Sequence, residues 1–387
     1  MSLDKILQNE LLTRQEQHRY RSRKVVESAQ GIYLQANGKR YLNFCSNDYL
    51  GLANHPQVKK AFITAAEKYG VGSGASHLVV GHSLEHHALE EELADFVGRE
   101  RALLFSSGYM ANMGVINALT AKGDCVFEDK LNHASLLDGA LLSRADLKRF
   151  KHNDLEHVKN CLEKNEAKTS LLAVDGVFSM DGDVAPLAEL AKICQRNKAW
   201  LMVDDAHAIG CLGKTGGGTT EHFNLAQNDV PVLMGTLGKA FGTFGAFVAG
   251  SETLVESLIQ LSRTYIYTTA LPPAVAAATR KSLELVKSES WRRQKLTSHI
   301  EFFRKGCQQL GLALMNSQSA IQPLILGSDE KALQAALALE ERGIWISAIR
   351  PPTVPEGTAR LRITLCAEHE ESHLLELLAV LDEVLGK

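Results

Sequence analysis

The sequence predicts an α/β protein: a large domain on a mostly parallel sheet, followed by a smaller α+β domain. Three observations predict it. From about residue 55 to 270, short and continuously apolar runs alternate with helical stretches, the pattern of strands buried on both faces by crossover helices. The alternation breaks at Leu271-Pro272-Pro273, and helices and strands follow in a different order. At 387 residues the chain exceeds one ordinary core, so two or three domains are expected.

Each element has its own signal. Residues 1–24 read as a polar helix closing on the basic cluster Arg19, Arg21, Arg23 and Lys24. Residues 31–45 alternate like a short hairpin that turns at Gly38. Strands are expected at 102–105, 125–128, 170–174, 200–203, 232–235 and 246–249. After the double proline, one long helix of mixed charge runs to about Gly311. Next come a strand at 321–326, a helix at 329–343 and strands at 344–349 and 360–365. The last helix carries Leu374, Leu375, Leu377, Leu378, Leu381 and Leu385 on one broad face. The expected partition is an N-terminal helix and hairpin (1–48), a large domain (49–280) and a small α+β domain (281–387).

Composition excludes several function classes. With 45% hydrophobic and 22% charged residues, the chain can bury a large core without disulfides. A net charge of −3 gives no general attraction to nucleic acid or anionic membrane, so any anionic ligand must be held by local positive groups. The seven cysteines are scattered, with no C-x-x-C pair. That excludes a disulfide framework or zinc ribbon and fits a reducing, cytoplasmic setting. The first 23 residues hold no apolar stretch of the secretory kind. No run of about 18 apolar residues offers a membrane span.

Five polar loops at strand ends carry the chemistry. In 200–207 an apolar run meets Asp204, Asp205 and His207. In an open α/β sheet, ligands sit outside the carboxyl ends of the strands. There a carboxylate can pair with a ring nitrogen; the alternative is a solvated acid pair. In 232–245 a single lysine, Lys239, stands among glycines after another apolar run. A Schiff-base lysine must be neutral to attack an aldehyde, so its pKa must fall several units below about 10.4. Burial and a nearby cationic group produce that fall. Thr236 and the loop amides suit a phosphate beside it. Phe105-Ser106-Ser107-Gly108-Tyr109 turns a strand into a helix whose first N–H groups also suit a phosphate, although Ser is an ordinary cap as well. Asn132-His133-Ala134-Ser135 and Val177-Phe178-Ser179-Met180-Asp181-Gly182-Asp183 are the other two loops.

Nucleotide loops fail on their own terms. The Walker pattern needs glycine where Leu233 and Ala208 stand. His82-Ser83-Leu84-Glu85-His86 matches the H-x-x-E-H of some zinc peptidases. It continues into an ordinary amphipathic surface pattern, and no third ligand singles itself out, so no metal is expected.

Taken in order, Ser-Gly-Tyr-Met-Ala-Asn, Asn-His-Ala-Ser, Val-Phe-Ser-Met-Asp-Gly-Asp, Val-Asp-Asp-Ala-His and Thr-Leu-Gly-Lys resemble the α-oxoamine synthases over nearly the whole chain. These are fold-type-I enzymes of pyridoxal phosphate that join an amino acid to an acyl thioester with loss of CO2. The runs 46–51, 319–324 and 348–355 are most similar to the biotin-pathway member. The resemblance implies a seven-stranded, mostly parallel sheet and a homodimer with its active site at the interface. It implies condensation of L-alanine with a pimeloyl thioester of coenzyme A or acyl carrier protein, with no nucleic acid or membrane partner. It further implies that Lys239 carries the cofactor, Asp204 pairs with the ring nitrogen, and His207 and Ser179 meet the ring oxygen. His133 would stack on the ring and assist catalysis. Gly108, Tyr109 and Thr236 would bind phosphate, and Thr268 or Thr269 the partner subunit's phosphate. Arg21, Asn47, His133, Arg350 and Thr353 would line the substrate site, where an arginine fork matches a carboxylate. One departure is that Gly74-Ala75-Ser76-His77 stands where many relatives have Gly-Ser-Arg. The rival readings are a sister enzyme using glycine or serine with another acyl group, and a zinc hydrolase built on His82, Glu85 and His86.

Overall fold

The apolar runs become the strands of one seven-stranded sheet in the computed structural model, which describes residues 2–386. Its spatial order is Arg101–Phe105, Ala246–Gly250, Val232–Thr236, Trp200–Asp204, Ser170–Asp175, Cys125–Asp129 and Asp146–Phe150. Five neighbouring strands, from Val232–Thr236 to Asp146–Phe150, run parallel. Ala246–Gly250 is antiparallel to both of its neighbours. The central strands are buried on both faces because helices cover each side. Helix Gly108–Leu119 packs through Ala111, Val115 and Ile116 into the core of Val126, Leu171, Met202 and Met234.

The outermost strand, Asp146–Phe150, was not among the expected ones. Its sequence, Asp-Leu-Lys-Arg-Phe, is charged because it is a sheet edge, where charge guards against pairing with another chain.

The chain divides into two compact units. One is built from 50–179 and 184–293 and holds the large sheet; the other is built from 1–49, 180–183 and 294–387. This differs from the expected three segments. The N-terminal hairpin joins the C-terminal unit because Lys39–Asn43 pairs with Ile344–Trp345. Residues 180–183 belong there too, through the buried ion pair of Asp181 with Arg360 at 2.7 Å. The hairpin turns at Asn37-Gly38, both with positive φ (52° and 70°), as a two-residue turn requires.

Three further expectations are corrected. The polar N-terminal helix ends at Glu16, so the basic cluster lies outside it. The long helix after the double proline is two helices, Pro273–Ser288 and Trp291–Gln309. The break is at Glu289, whose carboxylate accepts from Arg292 at 2.7 Å while Arg293 caps the Val286 carbonyl at 2.6 Å. The strand expected at 344–349 splits at Ile346: Ile344–Trp345 serves the hairpin sheet, and Ser347–Ile349 pairs with Ala359–Thr364.

Candidate functional site

Asp204 and Thr236 are the last residues of adjacent parallel strands, and Lys239 follows in the next loop. That loop is closed by hydrogen bonds from Leu237 N to Gly245 O (2.9 Å) and from Gly242 N to Lys239 O (2.8 Å). Gly242 has φ 64°, and a Cβ there would come within 2.3 Å of Ala53 N, so only glycine closes the turn. Lys239 is thereby aimed into a cavity of about 200 Å³ that Gly108, Tyr109, His133, Ser179, Asp204, His207 and Thr236 also line. Lys239 Nζ lies 2.9 Å from His207 Nε2.

The two neighbouring acids part company. Asp204 faces the cavity, accepting from Asn112 Nδ2 at 2.6 Å and from the Ala206 amide at 3.0 Å. Asp205 turns the other way and binds the Thr219 amide (2.8 Å) and hydroxyl (2.6 Å). Those bonds give Asp205 a structural part, and burial pushes it up to about 7.

His133 caps the helix Ala134–Ser143 and is held from two sides. Its amide donates to Asp175 Oδ2 at 3.0 Å, and its Nδ1 lies 2.7 Å from the Ser135 hydroxyl. Burial lowers its pKa, opposed by the Asp204 charge and assisted by Lys239. Asp175 ends the strand beside Asp204, directly opposite it in register. Burial and the Asp204 charge hold its carboxyl well above the usual range.

Asn112, Ser135 and Asp175 were not anticipated as site residues. Asp175 carried the signal that marks Asp204, an apolar run ending in an acid. Asn112 and Ser135 lie inside the motifs themselves, but only the fold shows that Asn112 joins Asp204 to Ser135, 2.9 Å away.

The cavity's donor set fits a pyridoxal phosphate. Lys239 offers the amine for an aldehyde, Asp204 an acceptor for a ring N–H, and His207 and Ser179 polar groups for a ring oxygen. The helix Gly108–Leu119 starts at the cavity, where its first-turn N–H groups have no partner within the helix. Thr236 adds a hydroxyl.

The other expected residues lie elsewhere. Thr268 lines a separate concavity of about 620 Å³ with Arg144, Arg263 and Tyr267. Thr269 bridges to Ser76. Arg21, Arg350 and Thr353 share a small cleft in the other unit, where Arg21 Nη2 donates to Thr353 Oγ1 at 3.2 Å. Arg19, in the same cleft, is paired with Asp329 and Glu356. Among the described residues neither Arg21 nor Arg350 has an acid in ion-pair contact. Asn47 is not in this cleft; it accepts from Arg362 at 3.1 Å.

The zinc-peptidase pattern does not assemble. Glu85 is paired with Arg280 at 2.7 Å. His86 accepts from Ser83 N through Nδ1 (2.9 Å) and meets Leu271 O through Nε2 (2.6 Å), so both its ring nitrogens are used.

Comparison with known proteins decides the family. The aminotransferase class I and II family profile matches residues 39–381. The chain belongs to that family. A protein of Saccharophagus degradans named 8-amino-7-oxononanoate synthase is 63% identical over 387 residues, all of this chain and 98% of that relative. Among solved structures, the serine palmitoyltransferase of S. paucimobilis with a bound PLP–myriocin aldimine superposes with TM-score 0.95 at 31% identity, over 99% of this chain and 98% of that one. The 8-amino-7-oxononanoate synthase of Francisella tularensis has TM-score 0.78 at 34% identity, over 89% and 97%. The expected fold class, cofactor and enzyme class agree with these comparisons. Among the described residues, no helix is long and apolar enough to cross a membrane.

Proposed function

We propose that this chain condenses L-alanine with a pimeloyl thioester to give 8-amino-7-oxononanoate, CO2 and the free thiol, as a cytoplasmic step of biotin synthesis. The observation that carries the reading is full-length identity of 63% to a relative so named. The cavity supports it chemically.

Bound there, pyridoxal phosphate supplies an electron sink for the substrate's α-carbon. Lys239 tethers it, then acts as a free amine that removes and returns the α-proton, within reach of His207 at 2.9 Å. Asp204 holds the proton on the ring nitrogen, and Asn112 and the Ala206 amide fix its carboxylate. His207 and Ser179 hydrogen-bond the ring oxygen. His133, whose pKa burial lowers, would line the cofactor's site and donate or accept a proton at the acyl carbonyl. The amides of Gly108 and Tyr109 and the hydroxyl of Thr236 hold the phosphate.

Arg21 and Arg350 take the terminal carboxylate of the acyl chain, with Thr353 and Asn47 as further substrate contacts. Two guanidinium groups without an acid in ion-pair contact form a site that an anion completes. The working form is a homodimer in which Thr268 reaches the phosphate of the partner subunit, and coenzyme A or a carrier protein delivers the acyl group.

A sister activity with serine or glycine is the second reading, favoured by the TM-score of 0.95 to a serine palmitoyltransferase. A substrate panel separates the two. With L-alanine and pimeloyl-CoA the holoenzyme should release thiol and form 8-amino-7-oxononanoate. Faster turnover with serine or glycine and another acyl-CoA would move the assignment to the sister activity.

A further inference from the structure

A second group of chemically able side chains lies outside the Lys239 cavity. His82, which caps the π-helical turn His77–Gly81, meets His87 and Glu90 of the helix Leu84–Val97. His82 Nε2 lies 3.5 Å from His87 Nδ1 and 4.0 Å from Glu90 Oε2. One ligand atom from each of His82, His87 and Glu90 lies within 4.8 Å of the other two. Ligands around a tetrahedral zinc, at bonds of about 2.0–2.2 Å, stand about 3.4 Å apart.

The far side of each group is also arranged for a metal. His82 Nδ1 lies 3.0 Å from His77 Nδ1. His87 Nε2 lies 3.6 Å from Glu91 Oε1. Glu90 Oε1 accepts from Leu104 N at 2.9 Å. When His82 donates to His77 and His87 turns its N–H toward Glu91, the inner atoms are two imidazole lone pairs and one carboxylate oxygen. Three acceptors then share one space without a donor among them. Outer partners of this kind fix the tautomer and ring orientation of metal-bound histidines. His86 takes no part, because both its nitrogens are used.

We propose that His82, His87 and Glu90 bind one divalent d-block cation of the zinc class, with water in the fourth position. Imidazole and carboxylate ligands suit such an ion. His87 is exposed, which gives the ion an entry path, and Glu90 is anchored to the sheet through Leu104. The ion ties His82, at the end of the turn His77–Gly81, to the helix that follows it. The site is independent of the proposed reaction.

The test titrates chelator-treated holoenzyme with Co2+ and reads the d–d absorption of a tetrahedral cobalt centre as a difference spectrum. One equivalent per chain should produce the band, and Zn2+ should displace it. His87→Gln and Glu90→Gln, with fold checked by circular dichroism, should lose the band, whereas the surface control His222→Gln should keep it. Glu91→Gln should weaken binding about 10-fold, as expected for an outer partner. Wild type without a band, or a band unchanged in His87→Gln and Glu90→Gln, would overturn the proposal. The first result would leave a chain of proton-sharing histidines, and the second would move the metal to the cofactor.

Discussion

Asn112 donates from its amide nitrogen to Asp204 Oδ2 at 2.6 Å, deep in the large unit where neither side chain meets much solvent. The same nitrogen reaches Ser135, which holds His133. Asn112 thus lines the cavity and ties Asp204 to Ser135, and through it to His133. A hydrogen bond to a charged group contributes about 1.5–3 kcal/mol. Asn112→Ala should therefore lower kcat by about 10- to 100-fold and weaken cofactor retention. Steady-state rates and cofactor release on dialysis check this. Unchanged values for both would show that Asp204 needs no such alignment.

How far the sequence reaches is visible in this pair. Asp204 is legible because an apolar run ends in an acid, and strand ends of an α/β sheet meet ligands. The resemblance names Asp204, but the apolar pattern alone does not separate it from Asp205, because the choice depends on where Thr219 sits, in the short helix Gly218–His222 that follows. The strand Asp146–Phe150 escaped notice for a related reason. Its charge answers to an edge position that only the assembled sheet defines. The long helix broke at Glu289 through arginine contacts that no helical periodicity encodes.

Lys239 should be indispensable. Its amine is the group in the cavity suited to both an aldehyde and an α-proton, and His207 stands 2.9 Å from it. Lys239→Ala should reduce turnover by at least about 100-fold, the lower end for loss of a general base. It should also abolish the borohydride-sensitive visible band while the circular dichroism spectrum stays unchanged. A variant that still turns over at the wild-type rate would remove Lys239 from the mechanism.

The arginine cleft makes a separate claim about the acyl chain. Arg19 is neutralised by Asp329 and Glu356, whereas Arg21 is bonded to the Thr353 hydroxyl. Arg21→Ala should raise KM for pimeloyl-CoA by about 10- to 100-fold, the range for a charge-assisted hydrogen bond. It should leave KM for L-alanine unchanged. The methyl ester of pimeloyl-CoA lacks the terminal charge, so it should bind wild type and Arg21→Ala equally. A variant that weakens both acyl donors alike would place the arginine on coenzyme A instead.

Glu128 provides a stability test that needs no substrate. It lies inside the strand Cys125–Asp129, next to the sheet's edge strand, fully buried, and burial pushes its carboxyl up to about 7 against the opposing pull of Arg149 and Asn132. Its unfolded value is that of an ordinary glutamate, about 4.5. Between those two values the folded chain keeps a proton that the unfolded chain releases. Stability therefore falls as pH rises through that window, and the loss is complete above pH 7. From the two pKa values, the full loss is on the order of 3 kcal/mol. Glu128→Gln keeps the shape of the protonated acid and cannot ionise. It should be close to wild type in urea denaturation at pH 5 and clearly more stable at pH 8. An equal difference at both pH values would mean that Glu128 does not titrate in this range. Its burial would then be matched by the Arg149 charge on the neighbouring edge strand, at the position directly opposite in register.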